Sequence, residues 1–286
     1  MKKFVLKKGV PMIPVLPFLV LAFMYMIIPM LSIITKGFIA PEVGGFSLEN
    51  FQKIFTKTIY IKCITNSLKL SFISTFIGLL ISFLTALCLT KVKTKMHSTV
   101  MAILSMTSNF AGLPLAFAFI LVLGNTGVFK AILHALGLNW LDGFNLYSYD
   151  GLMLIFVYFQ IPLGTMLLVP SFQAIRKEWK EAATLMRASE WRFWFEVGVP
   201  NLIPGILGTF GMLFANALTA YATVYVLVTN NFPLLPIKIT TMFTGDALPQ
   251  EEMGSALSLV MIAIMLIVIL LCNLLIKWTY KGGETK

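Results

Sequence analysis

Residues 178–200 read EWKEAATLMRASEWRFWFEVGVP, the longest polar run between two apolar segments in a chain that otherwise reads as membrane. From Lys177 to Met186 the residues are mostly Glu, Ala, Leu, Met and Lys, all good helix formers. Arg187-Ala188-Ser189 makes a break, and Ser189 suits the N-cap of a second short helix beginning at Glu190. That second piece carries Trp191, Phe193, Trp194 and Phe195, aromatic side chains of the kind that collect at a membrane–water boundary. Pro200 falls in the first turn of the next apolar run, where a helix tolerates it. A polar helical knob of this kind suits docking onto a soluble partner.

The sequence around the knob sets the class. Of 286 residues, 58% are hydrophobic and only 12% charged, and the mean hydropathy is +0.88. Soluble domains carry about a quarter charged residues, so an ordinary soluble enzyme is excluded. Apolar runs fall at about 11–36, 66–90, 98–123, 151–173, 200–229 and 254–276, each near the roughly 20 residues a helix needs to cross the hydrocarbon core. They lack the alternation of a lipid-facing barrel strand. The reading is an all-α polytopic membrane protein with six transmembrane helices, forming a single domain over 1–286, with a cytosolic loop at 174–199. The opening Met-Lys-Lys-Phe-Val-Leu-Lys-Lys resembles the charged start of a signal peptide, but the run after it is too long for one and is kept as a span. Cys63, Cys88 and Cys272 are scattered without CxxC spacing and read as buried small hydrophobes.

An even number of spans puts both termini on one side. That side, with the loops at 91–95 and 174–199, holds fifteen of the 22 basic residues. The positive-inside rule places both termini and the 174–199 loop in the cytoplasm. The net charge of +10 follows this topology rather than one exposed face, so nucleic acid is not an expected partner, whereas the lipid bilayer is. On the outward side, Ser47 is placed to cap a short helix with Glu49 and Asn50 in its first turn. Leu136, Leu138 and Trp140 mark an amphipathic stretch, and 230–253, with Pro233, Pro236 and Pro249, reads as a loop.

No Asp or Glu lies mid-span, although ion-coupled transporters usually need an intramembrane ionisable group. Energy from outside the chain is therefore favoured, and a stand-alone secondary transporter is the alternative. Neutral polar residues do lie deep in the spans. Asn109 precedes Gly112 and Pro114, Gln160 precedes Pro162 and Gly164, and Asn216, Thr219 and Tyr221 follow one another. They are candidates for a translocation pathway, since broken helices are tolerated where they line a cavity. Helix–helix hydrogen bonding, at about 1 kcal/mol, is the competing use of such side chains. His97 and His134 read as plain polar loop residues. There is no GxxxxGK[ST] phosphate loop and no GxSxG elbow, so enzymatic chemistry is not expected.

The knob resembles the EAA loop of permease subunits of binding-protein-dependent ABC importers. Glu181-Ala182-Ala183 opens the pattern, Arg187 stands where the family has glycine, Ala188-Ser189 follows, and Val197, Val199 and Pro200 close it. Phe46-Ser-Leu-Glu-Asn-Phe51, Asn66-Ser67-Leu68 and Gly254-Ser-Ala-Leu257 extend the likeness, which is greatest to the branch importing polyamines, thiamine, ferric iron or aminoethylphosphonate. The resemblance implies a type I ABC importer permease that couples to ATPases through Glu181, Ala182, Ala183, Arg187, Ala188, Val199 and Pro200. It implies two ATP-binding subunits holding ATP and Mg, a second permease subunit and an extracytoplasmic solute-binding protein, with no cofactor bound by this chain. The implied solute is small and polar, with polyamine or aminoethylphosphonate favoured. Arginine at the glycine position implies either a regular helical turn or an altered dock, because glycine there permits a turn that a side chain resists.

Overall fold

The computed structural model describes residues 15–39, 45–138, 141–228, 232–245 and 249–281. These form helices α1 (Leu16–Gly37), α2 (Glu49–Thr56), α3 (Thr58–Thr90), α4 (Thr94–Asn109), α5 (Leu113–Leu123) and α6 (Val128–Ala135). They continue as α7 (Tyr149–Gln173), α8 (Lys177–Leu185), α9 (Glu190–Thr219), α10 (Ala222–Val228), α11 (Leu235–Thr244) and α12 (Glu251–Lys281). Among the described residues, the β-structure is one isolated bridge between Ile39 and Phe46. Among the described residues, six helical segments are long and apolar enough to cross a membrane.

The chain divides into two compact units. The first joins the residues up to Thr58 with Ile239–Val260. Here Phe38 packs against Phe46 and Phe51, at 5.4 and 5.1 Å between ring centroids. Ser47 Oγ accepts the Glu49 backbone N–H at 3.1 Å, but the cap position falls on Leu48 and not on Ser47 as expected; Asn50 donates to the Ile39 carbonyl at 2.9 Å. Lys36 pairs with Glu251. Gly254 lies so close to Met242 and Phe243 that a methyl group there would crowd the Phe243 ring, which explains the glycine.

The second unit, Ile59–Lys238 with Met261–Lys286, is built around α7. Helices α4 and α9 pack along α7. Leu152, Ile155 and Phe156 enter one apolar cluster with Leu70, Leu115 and Ala217, while Leu168 and Phe172 enter another with Ala86, Leu202 and Leu213. Small residues bring α3 close to α7. A Cβ at Gly78 would lie 3.0 Å from that of Gln160, and Ser82 donates to the Ile161 carbonyl at 2.9 Å. Membrane helices gain packing in this way, because apolar burial alone gives little between helices in lipid.

Several expected boundaries change. The second span begins at Thr58, so Asn66-Ser67-Leu68 lies two turns inside it rather than at its start. Those side chains hold the chain that returns from α10: Asn66 donates to the Pro233 carbonyl at 3.1 Å, and Ser67 Oγ accepts the Leu235 N–H at 2.8 Å. The run expected at 98–123 is two helices parted at 110–112, and the run at 200–229 is parted at 220–221. The expected loop at 230–253 contains α11, with Pro236 in its first turn, a position that needs no N–H donor. The last span begins at Glu251, one turn before Gly254. Cys63 and Cys272 are buried as expected, but Cys88 is exposed. His97 and His134, expected in loops, lie in α4 and α6, and His134 pairs with Asp142 at 2.9 Å. Trp140 lies outside the described residues.

Candidate functional site

The polar knob folds as two helices set by a left-handed turn. After α8, the Arg187 N–H donates to the Thr184 carbonyl and the Ala188 N–H to the Ala183 carbonyl, both at 3.0 Å. This pair of bonds is a Schellman closure, which needs its first residue past the cap in the left-handed region. Arg187 is that residue, with φ +54°, the one positive-φ position among the described non-glycine residues. The turn expected of glycine is therefore kept, and no regular helical turn replaces it. The left-handed conformation costs an L-residue roughly 1–2 kcal/mol. Ser189 then caps the next helix as predicted, its Oγ accepting the Arg192 N–H at 3.3 Å.

The remaining coupling candidates divide between the surface and the packing. Glu181 and Ala182 are exposed, Ala183 is buried, Ala188 and Val199 are half-buried, and Pro200 is exposed. Lys180 bonds Glu190 at 2.8 Å, tying the two short helices together. That ammonium holds the Glu190 carboxyl below its ordinary range, first through the hydrogen bond and then through its charge. Leu185, Met186, Trp191 and Phe195 are each more than two-thirds exposed, an apolar surface beside the acidic Glu181. Exposed large apolar groups in a polar segment are a candidate docking face.

The knob has no loose joint with the fifth span. Helix α9 runs unbroken from Glu190, passing through a π turn at Trp194–Gly198 before continuing to Thr219. Single π turns of this kind are frequent at functional positions. The Trp194 ring folds onto Gly198 so closely that any side chain there would strike it. Phe193 meets Trp194 edge-on at 5.7 Å and is itself buried. The Ser189 cap and Pro200 were visible as signals in the sequence; the π turn had none.

Within the spans, the two breaks face each other. Gly112, at φ +72° and ψ −136°, adopts a backbone conformation that side chains resist, and α5 starts immediately after it with Pro114 in its first turn. Its carbonyl accepts the Thr223 hydroxyl at 3.3 Å, and Ala222 packs beside it. The ends of two interrupted helices thus meet through one side-chain hydroxyl, on a carbonyl that also accepts the Ala116 N–H at 3.1 Å. Thr223, which the sequence reading passed over, joins them; a lone threonine in an apolar run gives no warning.

The pathway candidates fall into different places. Asn109 is exposed at the end of α4, its amide bonded to the Ser105 carbonyl at 2.8 Å. Asn216 and Thr219 are exposed on α9, Thr219 bonding the Ala215 carbonyl at 2.8 Å. Asn216 lines an apolar groove of about 540 Å³ with Leu163, Met212 and Asn273. Tyr221 is half-buried, with its ring 5.3 Å from Tyr225. Gln160 is fully enclosed: it donates to Ser74 Oγ at 2.8 Å and accepts from Thr75 Oγ1 at 3.1 Å. The breaks bring Ala222 and Thr223 to Gly112, and Gln160 stands apart, on α7 against α3.

Comparisons with known proteins agree with this architecture. The model of a family described as binding-protein-dependent transport system inner membrane component matches residues 78–282. A probable sulfate transport system permease protein of Helicosporidium is 25% identical over 218 residues, covering 74% of this chain and 76% of that protein. A putative ferric transport system permease protein of Haemophilus influenzae is 24% identical over 262 residues, 87% of this chain but 39% of that longer relative. Among solved structures, a chain of a bacterial alginate ABC transporter bound to its periplasmic protein has a TM-score of 0.73 at 18% identity, covering 91% of each chain. At that identity the likeness establishes the fold alone.

Proposed function

We propose, from the premise that the chain belongs to the family of binding-protein-dependent transport system inner membrane components, that it forms half of the membrane pathway of an ATP-driven importer. A second permease subunit, identical or homologous, supplies the other half, and two ATP-binding subunits supply the energy with their own ATP and Mg. An extracytoplasmic binding protein delivers the solute, and both termini lie in the cytoplasm of a bacterial membrane. The observation that carries this reading is the knob: an exposed acid, a small-residue helix face and an apolar surface, joined without interruption to a spanning helix. ATPase movement at Glu181, Ala182, Ala183, Arg187 and Ala188 would pass through Val199 and Pro200 into α9 and change which side the cavity faces.

The exposed Asn109, Asn216 and Thr219, with Tyr221 at the paired breaks, are our candidates for contacts with the solute. Gln160, enclosed by α3, is assigned to bracing the helices. The solute class is a small polar one bearing an ammonium group, a polyamine or aminoethylphosphonate. The Tyr221–Tyr225 pair supports this choice, since aromatic faces attract cations. The relatives named for sulfate and ferric transport set the competing choices. Uptake of labelled putrescine, aminoethylphosphonate, sulfate and ferric iron, in cells with and without the gene, separates them. Glu181→Lys abolishes uptake while membrane insertion stays intact; normal uptake in that variant would remove the coupling role from Glu181.

A further inference from the structure

Where α3 and α7 end and α8 begins, a groove of about 540 Å³ opens at the surface. Its floor is apolar, with Leu89, Val169, Phe172, Ile175 and Trp194. Its rim is cationic, formed by Lys91, Arg176, Lys177 and Lys180, with His97 beside them. Among the described residues no carboxylate lines it, and the neighbouring Glu190 is engaged with Lys180. Lys91, Arg176 and Lys177 form no salt bridge among the described residues.

Helix ends explain only part of this charge. Lys91 follows the last turn of α3 and Arg176 follows that of α7, where a cation offsets the partial negative charge of the terminal carbonyls. Lys177 and Lys180 lie in the opening turns of α8, the positive end of a helix, where the dipole opposes them and Glu178 is the acid of the first turn. Three rim cations without a carboxylate partner, Lys91, Arg176 and Lys177, over an apolar floor suit an anion that carries a hydrophobic part.

We propose that this groove binds an anionic phospholipid, with the phosphate on the Lys91–Arg176–Lys177 rim and an acyl chain along Phe172, Val169 and Trp194. The groove sits at the ends of two membrane-spanning helices, the depth at which a lipid headgroup resides. Basic pockets between such helix ends are suited to acidic headgroups. A free phosphate would satisfy the rim and leave the floor uncovered. The inference needs only that the chain sits in a membrane, so it stands apart from the choice of solute and from the coupling role of Glu181.

Native mass spectrometry of the full-length chain tests it, with phosphatidylglycerol and phosphatidylcholine of matched acyl chains supplied in equal amounts. The expected result is several-fold greater retention of phosphatidylglycerol. Lys91→Gln with Arg176→Gln should lower that retention roughly tenfold, each basic group contributing through its attraction to the acidic headgroup. Lys93→Gln with Lys95→Gln, exposed but outside the groove, should leave it unchanged. Equal retention of the two lipids by the wild-type chain overturns the proposal whether or not the variants fold, and so does an equal loss in both variants. Displacement of the lipid by inorganic phosphate would make this a plain anion site. Displacement by added ATPase subunits would assign the groove to that interface.

Discussion

Arginine at 187 occupies a left-handed turn that glycine adopts freely, so Arg187→Gly should tighten the knob. The left-handed region costs an L-residue roughly 1–2 kcal/mol. Glycine returns about 0.4–1 kcal/mol of that through the greater freedom of the opened chain. The net gain is about 1 kcal/mol, and among the described residues no salt bridge of Arg187 is sacrificed. The gain falls on the two bonds that close the turn, from Arg187 N–H to Thr184 and from Ala188 N–H to Ala183. Hydrogen exchange of the peptide spanning 180–193 reads it directly. Local opening there should become about fivefold rarer, since about 1.4 kcal/mol corresponds to a factor of ten. Arg187→Val, β-branched at positive φ, should move exchange in the opposite direction by a larger factor. If the glycine variant exchanges as fast as the wild type, or if glycine and valine behave alike, the turn is not strained and the reasoning fails.

Other substitutions test the packing of the site. Gly198→Ala places a methyl group against the Trp194 ring; a loss of about 1–3 kcal/mol and a shifted tryptophan emission are expected, and thermal denaturation in detergent measures the first. Thr223→Val removes the hydroxyl that joins the two breaks. It should cost about 0.6 kcal/mol in detergent unfolding, and a larger loss of uptake than of folded protein would show that the junction moves during transport. Gln160→Leu leaves Thr75 without its acceptor and should cost about 1–2 kcal/mol, with uptake per folded molecule unchanged. Reduced uptake per folded molecule would return Gln160 to the pathway.

The hydrophobic runs made the six spans legible, because apolar length is a direct requirement of the bilayer. The cap at Ser189 was legible because a hydroxyl before a polar helix has one strong local use, whereas the helix at Glu49 starts from Leu48, one residue past Ser47. The breaks were only half visible. Gly112 and Pro114 announced the first, whereas Ala220-Tyr221 carries no breaker, and the residues just after it, Ala222 and Thr223, lie against Gly112. The start of α3 was misplaced because Tyr60, Lys62 and Asn66 lower the hydropathy of a helix that is continuous in its backbone bonds. Arg187 shows the same limit from the other side: the residue type argued against a left-handed turn, and the bonds on either side of it impose one.

A π turn holds one backbone residue more than the α turn it replaces, and a residue is worth about 100° around a helix axis. The turn at Trp194–Gly198 therefore sets the angular phase between the knob and the fifth span, as a keyway fixes a crank on its shaft. Every side chain before it, Trp191 included, points where it does because of that one supernumerary residue. Removing a single residue between 194 and 198 would leave both ends helical and every residue of the docking face present, yet turn that face about a quarter of the way around.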